Sequence, residues 1–182
     1  MNIQKLDTNL IKNVLKGERS AQFQLFELTK GMLYSACYRI VNDEDEANDV
    51  LQDSYVEIFQ KIHSLKHPEA LLSWMKTITI RKAILQSRKK IHFEPIENLE
   101  MDSSDDFDSW FDAEMLDQAI ESLPTGAKAV FLLLSVEGYS HREASSMLGI
   151  SENTSKSQLN YAKTLLKRRI TKLLQAWKNK VQ

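Results

Sequence analysis

The stretch from Gly138 to Arg169 constrains the fold of this chain more than any other. Ser140 is followed three residues later by Glu143, a spacing typical of a capping box that begins a helix. Gly149 suits the left-handed conformation in which many helices end, and Ser151 can cap a second, longer helix. Two helices joined by so short a turn predict a helix-turn-helix, whose second helix enters the major groove of DNA.

The second of these helices has two contrasting faces. Apolar residues at spacings of three and four form one stripe, which includes Leu159, Ala162 and Leu166. The opposite face is polar and basic, and the helix has one acid, Glu152, in the first turn, where the helix dipole favours it. A solvated face normally mixes charges of both signs, so this pattern favours DNA binding. The predicted DNA-facing residues are Asn153, Lys156, Ser157, Asn160, Tyr161, Thr164, Lys167 and Arg168.

Composition and charge indicate how the rest of the chain is divided. With 182 residues, 42% of them hydrophobic, and only three prolines and five glycines, a mostly helical protein is expected. Residues 1–90 carry a net charge of +3, residues 91–122 of −11 and residues 123–182 of +7. We therefore predict an all-α fold with two small helical domains, residues 1–90 and 114–182, joined by an acidic linker at residues 91–113.

Several function classes are disfavoured. Cys37 is the single cysteine, so no intramolecular disulfide is possible, and no apolar run approaches the ~20 residues of a membrane span. The first residues lack a signal-peptide core, so a cytoplasmic protein is expected. The four histidines do not combine with acids at metal-ligand spacing, and no phosphate-binding loop or nucleophile elbow occurs. We expect no metal, no cofactor and no enzymatic activity.

An acidic helix follows Asp43 in the N-terminal half. Asp45, Asp49, Asp53 and Glu57 recur at i, i+4 positions, where like charges repel. Such a face either keeps the protein soluble or docks on a basic partner, and spacing alone does not decide between these interpretations.

Basic residues are dense in the helix after that one and around it. They suggest a phosphate-facing surface. The predicted set is Lys61, Lys66, Lys76, Arg81, Arg88 and Lys89. Apolar periodicity places Phe23 in the buried stripe of an earlier helix and Leu85 in that of this one.

The ordered motifs resemble the extracytoplasmic-function sigma factors of the sigma-70 family. Residues 46–53, EANDVLQD, are similar to the signature of region two, and residues 74–78, WMKTI, to the helix that follows it. Leu123-Pro124, Gly138-Tyr139-Ser140 and residues 148–151 resemble region four. The resemblance implies a transcription initiation factor with core RNA polymerase and promoter DNA as partners, and an anti-sigma factor as a further partner class.

The resemblance also implies roles for individual residues. Region two would contact polymerase and help open the minus-10 element, whereas region four would bind the minus-35 element. Arg142 and Gln158 join the residues implied to bind DNA; Gln158 stands where the family usually has arginine, and glutamine can pair with adenine. Arg81 and Leu85 depart from the usual asparagine and aspartate of the family. The implied polymerase contacts are Asp49, Gln52, Asp53 and Val56.

Two rival interpretations make different predictions. A stand-alone helix-turn-helix regulator, with N-terminal helices for dimerisation, would bind two half-sites about one helical turn apart without polymerase. An adaptor that uses its acidic face would bind a protein and show no dependence on DNA.

Overall fold

The computed structural model describes residues 7–93, 96 and 113–181. These residues form α-helices with short 3-10 and π-helical turns and, within those ranges, no strand, so the all-α prediction is confirmed. The chain divides into two compact units, Met1–Ser87 and Arg88–Gln182, which we call the N-terminal and C-terminal units. Most of the predicted acidic linker lies outside the described residues.

Four α-helices build the N-terminal unit. Helices α2, α3 and α4 pack against one another, and α1 packs against α2. Two 3-10 turns, Ile62–Ser64 and Pro68–Ala70, connect α3 to α4. The helices are α1 (Thr8–Leu15), α2 (Arg19–Val41), α3 (Glu44–Lys61) and α4 (Leu71–Ser87).

Local side chains fix where these helices begin and end. The Asp7 carboxylate accepts a hydrogen bond from the backbone amide of Asn9 at 3.1 Å and begins α1. Asn42, with φ of 54°, ends α2 in the left-handed conformation that asparagine tolerates better than most residues. Asp43 then accepts a bond from the amide of Glu46 at 3.0 Å, so α3 starts in a new direction within two residues.

The core of the N-terminal unit is apolar with one polar pair inside. Leu33, Ile58 and Met75 are fully buried, each from a different helix, and burying such a side chain stabilises the fold by roughly 1.5–3 kcal/mol. Among them, the hydroxyls of Thr29 and Tyr55 lie 2.7 Å apart and satisfy each other. This pair joins α2 to α3.

Two predicted core positions are wrong. Phe23 is 66% exposed and Leu85 is 68% exposed. Helix α4 has apolar residues on several sides, and the side that packs inward carries Met75, Thr79 and Ala83. Leu85 lies instead one turn from the exposed Arg81.

The C-terminal unit is organised around its longest helix, α8. Helices α5, α6 and α7 each pack against α8, with Val130, Leu133, Ala144, Ala162 and Leu166 buried between them. A π-helical turn, Leu132–Val136, extends α6 and leads to the loop before α7. The helices are α5 (Ala113–Glu121), α6 (Thr125–Phe131), α7 (His141–Leu148) and α8 (Glu152–Val181).

Candidate nucleic-acid interface

Helices α7 and α8 form the predicted helix-turn-helix. At the start of α7, Glu143 Oε2 accepts hydrogen bonds from the Ser140 amide at 2.9 Å and from the Ser140 hydroxyl at 2.7 Å. Gly149 ends α7 with φ of 69°, and Ser151 Oγ accepts a bond from the Thr154 amide at 2.9 Å to begin α8. Both ends of the turn are thus fixed by the residues that the sequence singled out.

A polar contact ties the two helices together. His141 Nδ1 lies 2.9 Å from Ser155 Oγ, and Ser155 is fully buried. The first turn of α7 is therefore hydrogen-bonded to the first turns of α8. This hydrogen bond restricts the angle between α7 and α8.

The outer face of α8 is available for contact and rich in hydrogen-bonding groups. The hydroxyls of Ser157 and Thr164 donate to helix carbonyls at 3.0 Å, so each oxygen keeps capacity to accept from outside. Of the predicted residues, Asn153, Lys156, Ser157, Asn160 and Arg168 are exposed, as is Arg142 on α7, whereas Tyr161, Thr164 and Lys167 are partly buried.

Gln158 does not belong to this face. Its residue is only 3% exposed, because positions 158, 162 and 166 share the side of α8 that packs into the unit. The predicted DNA contact of Gln158 is contradicted by this burial. Gln158 is one of three buried polar residues in the core of the helix-turn-helix, with Ser145 and Ser155.

The acidic face of α3 presents exposed carboxylates beside an exposed apolar side chain. Asp45, Asp49 and Asp53 are exposed, as are Gln52 and the apolar Val56, whose residue is 56% exposed. An apolar side chain among carboxylates that repel one another favours a protein contact over mere solvation.

Glu57 differs from the other acids of that face. One of its oxygens lies 2.7 Å from Lys61 Nζ, and the other lies 3.1 Å from Lys82 Nζ on α4. Hydrogen bonds from Lys61 and Lys82 hold the pKa of Glu57 below its ordinary value. Lys82 therefore connects α3 to α4, a contact between helices that sequence spacing alone does not indicate.

The predicted N-terminal cations fall in both units. Lys61, Lys66 and Arg81 are exposed and Lys76 is half-buried in the N-terminal unit. Because α4 ends at Ser87, Arg88 and Lys89 belong to the C-terminal unit instead. The guanidinium of Arg88 lies beside the turn of the helix-turn-helix. Its Nη2 is 3.7 Å from the position that a Cβ at Gly149 would occupy. The contribution of Arg88 and Lys89 to an N-terminal phosphate-facing surface stays a prediction.

Neither a metal site nor a membrane span is found in the described residues. They contain no group of three or more His, Cys, Asp or Glu side chains arranged to hold a metal ion. No helix within the same ranges has the length and apolar character that crossing a bilayer requires.

Comparisons with known proteins agree with this geometry. The family model "Sigma-70 region 2" matches residues 25–91, and "Sigma-70, region 4" matches residues 113–166. RNA polymerase sigma factor SigV of Bacillus subtilis is 29% identical over 141 residues, which cover 76% of this chain and 84% of the relative. ECF RNA polymerase sigma factor SigM of Mycobacterium tuberculosis is 26% identical over 167 residues, which cover 91% of this chain and 85% of the relative.

Solved structures show the same fold. The sigma factor RpoE, in complex with the anti-sigma factor NepR from Bartonella quintana, superposes with a TM-score of 0.53 at 20% identity, covering 81% of this chain and 95% of RpoE. CnrH, in complex with the cytosolic domain of CnrY, gives a TM-score of 0.51 at 21% identity, covering 92% of this chain and 96% of CnrH.

Proposed function

The chain belongs to the sigma-70 family, as an extracytoplasmic-function sigma factor, and from this membership we propose that it binds core RNA polymerase and directs it to specific promoters. The C-terminal unit binds the minus-35 element as duplex, and the N-terminal unit binds polymerase and the melted minus-10 element. The observation that carries the proposal is the face of α8, polar, basic and without an acid after the first turn, at the end of a capped helix-turn-helix.

In this proposal the acidic face of α3 binds polymerase. Asp49 and Asp53 repel each other in the free chain, and a basic partner removes that repulsion. Val56 loses exposed apolar surface in the same contact, which is favourable by roughly 25 cal/mol per Å². Gln52 is exposed on the same side of α3 and is the fourth residue proposed to contact polymerase.

On the C-terminal unit, charged and neutral groups have different tasks. Lys156 and Arg142 are suited to phosphates, which position the protein but carry no sequence information. Asn153, Ser157 and Asn160 present neutral hydrogen-bonding groups near the start of α8, the part of a recognition helix that contacts base edges. Arg168 lies further along the same face.

On the N-terminal unit, Lys66, Lys76 and Arg81 would hold the backbone of the opened strand. Leu85, exposed one turn from Arg81, offers apolar surface to an unstacked base. The polymerase supplies the catalysis, so the chain itself is not an enzyme.

Proteins of the anti-sigma class are proposed as a second kind of partner. Such a protein is bound to RpoE in the structure from Bartonella quintana. A regulator of that class would compete with polymerase if it covered the exposed Asp49 and Asp53. Competition in a pull-down with core polymerase would test this.

Run-off transcription tests the proposed function. Core polymerase, a library of promoter fragments and the full chain are combined, and the same reaction is run without the chain. We expect specific transcripts only when the chain is present. Core polymerase that ignores the chain, together with tight binding to paired half-sites without polymerase, would favour the stand-alone regulator instead.

A further inference from the structure

The outward side of α2 carries a row of four residues, on a helix that none of the proposed contacts uses. Phe23, Glu27, Lys30 and Tyr34 follow one another at spacings of four, three and four. At 3.6 residues per turn, these spacings place all four within an arc of about 60° around the helix. We call these four residues the α2 row.

The α2 row combines exposed apolar surface with a pair of opposite charges. Phe23 is 66% exposed, so a partner that covers its ring removes apolar surface from water. Tyr34 is half-buried and stacks on Tyr38, with ring centroids 5.8 Å apart. Between the two aromatic residues, Glu27 and Lys30 form an exposed ion pair of 2.7 Å. Aromatic side chains are enriched at interfaces between proteins, so this surface is suited to a protein partner.

Gly31 leaves a gap on the same side of α2, beside Lys30. Glycine inside a helix is destabilising relative to alanine, and nothing in the fold of the chain requires it at this position. Gly31 is exposed, its backbone is not left-handed, and a Cβ there would meet nothing within 4 Å. The missing side chain allows the backbone of another helix to approach α2 closely.

Read in the opposite direction, the α2 row is complementary to itself. When two copies of α2 pack antiparallel about a two-fold axis at the middle of the row, Phe23 of each copy faces Tyr34 of the other. In the same arrangement Glu27 faces Lys30, so four charges of alternating sign lie between two aromatic pairs. A parallel arrangement would instead place Glu27 beside Glu27 and Lys30 beside Lys30, where like charges repel. Charge complementarity therefore favours a second copy in the antiparallel direction.

We propose that the chain pairs with a second copy of itself through the α2 row, with the two helices antiparallel and close together because Gly31 has no side chain. The Phe23–Tyr34 contacts supply most of the affinity, whereas the exposed ion pairs fix the register and add little strength. One pair of helices buries less than about 1,200 Å², the size of weak and transient interfaces, so a dissociation constant of about 10–100 μM is expected. Neither polymerase nor DNA takes part, so the pairing goes beyond the proposed function and does not depend on it.

Sedimentation of the full chain at concentrations from about 1 to about 300 μM tests the pairing, and the average mass is expected to rise from that of a monomer towards that of a dimer. Phe23→Ser is expected to weaken the dimer by about tenfold or more, and the exposure of Phe23 means that the fold is retained. Val136→Ser is the matched control, because Val136 is also an exposed apolar residue but belongs to the C-terminal unit. Gly31→Gln should weaken the dimer as well, although glutamine favours the helix more than glycine does.

Charge reversal distinguishes a second copy from a different protein on the same surface. Glu27→Lys places four positive charges at the middle of the pair and is expected to weaken the dimer by about 3- to 10-fold. Adding Lys30→Glu makes the charges alternate again, so the double variant is expected to recover the dimer. A different protein, whose charges are unchanged, would not bind the double variant as it binds the original chain.

Three outcomes would overturn the pairing. These are a chain that stays monomeric at the highest concentration, a dimer that Phe23→Ser leaves unchanged, and a double variant that does not recover. If the chain stays monomeric while Phe23→Ser loses retention by core polymerase, the α2 row contacts polymerase and not a second copy. The sedimentation measurements contain no polymerase and no promoter, so their failure leaves the proposed function as it stands.

Discussion

Glu57 and Asp53 are neighbours on α3 but lie in different electrostatic surroundings. Asp53 is exposed at the proposed polymerase surface, whereas Glu57 is held by Lys61 at 2.7 Å and by Lys82 at 3.1 Å. Since Lys82 belongs to α4, the carboxylate of Glu57 connects two helices of the bundle. Glu57 therefore contributes to the stability of the unit, and Asp53 is left to contact a partner.

Glu57→Gln is expected to lower the free energy of unfolding by about 0.5–1 kcal/mol at pH 7. The folded state lowers the pKa of Glu57, so its contribution is present above the ordinary value of 4.5 and is lost as pH falls through the folded pKa. Urea unfolding at pH 7 and pH 3 would measure this. Glu27→Gln, which breaks only the exposed pair with Lys30 on the same helix, should cost less. Equal costs would contradict the role of the bridge between helices.

Tyr55→Phe is expected to change how stability depends on alkaline pH. Burial raises the pKa of Tyr55 from 10.0 to about 12, so the folded state disfavours the phenolate. The corresponding stability is complete below pH 10 and is lost between about pH 10 and 12. Tyr55→Phe should remove that loss, at a cost of about 1 kcal/mol at neutral pH from the missing bond to Thr29. Denaturant titrations from pH 8 to 12 would show it.

Cys37 provides the comparison for that experiment. Burial raises the pKa of Cys37 from 9.0 to about 11, so its contribution is lost between about pH 9 and 11. Cys37→Ala should therefore change the earlier part of the alkaline transition and leave the later part. If both variants removed the same part, the assignment of the later part to Tyr55 would be wrong.

Arg168→Ala is expected to weaken binding of upstream duplex by about 1–3 kcal/mol if the guanidinium reaches a base, with relaxed preference at one position. If Arg168 contacts a phosphate instead, binding should weaken for all sequences and the salt dependence should fall. Gel-shift titrations at several salt concentrations distinguish these outcomes. Arg169→Ala is the control, because Arg169 is exposed but points about 100° away around α8. An unchanged affinity for Arg168→Ala would remove that residue from the interface.

Among the elements, the turn between α7 and α8 depends most on a single conformation. Gly149→Ala is expected to destabilise the C-terminal unit by about 1–2 kcal/mol, because φ of 69° is unfavourable for a residue with a Cβ. Gly149→Asn should recover part of that loss, since asparagine visits the same region more readily. Hydrogen exchange of the α7 amides would be measured in the original chain, in Gly149→Ala and in Gly149→Asn. Equal protection in Gly149→Ala and in the original chain would contradict the strain argument.

The helix-turn-helix could be predicted from sequence because its signals are local. Ser140, Glu143 and Gly149 act within a few residues of one another, so their spacing alone specifies the caps. The surface of α4 could not be predicted in the same way. Leu85 and Ile84 are adjacent and equally apolar, yet Leu85 is 68% exposed and Ile84 is 5% exposed. Which of them is covered depends on α2 and α3, not on α4 itself.

The difference between local signals and long-range packing also explains which predictions at the candidate interfaces agree with the structure. The exposed face of α8 follows from helical periodicity, and the same periodicity aligns Gln158 with the buried Ala162 and Leu166. The hydrogen bonds of His92 with Thr125 and Gly126 join residues more than 30 positions apart, and nothing in the sequence around either partner indicates the contact. Long-range contacts of this kind become visible only in the folded chain.

For the whole molecule, the surfaces proposed for polymerase and for upstream DNA lie on different units. Asp49 and Asp53 belong to the N-terminal unit, and Arg168 belongs to the C-terminal unit. Substitutions at distant sites without shared partners are usually additive. The two binding activities should therefore be lost independently.

Reversing the charge of both Asp49 and Asp53 to lysine is expected to abolish retention by immobilised core polymerase and to leave binding of upstream duplex unchanged. Arg168→Ala should show the opposite behaviour, since it alters no residue of α3. Glu18→Lys with Asp117→Lys is the matched control, because it makes the same change in net charge at exposed acids outside both surfaces. Circular dichroism must show equal helicity for all variants. If the control also lost polymerase, net charge rather than the α3 face would drive that association. Retention of the Asp49 and Asp53 variant by polymerase, with helicity intact, would exclude α3 as the docking surface.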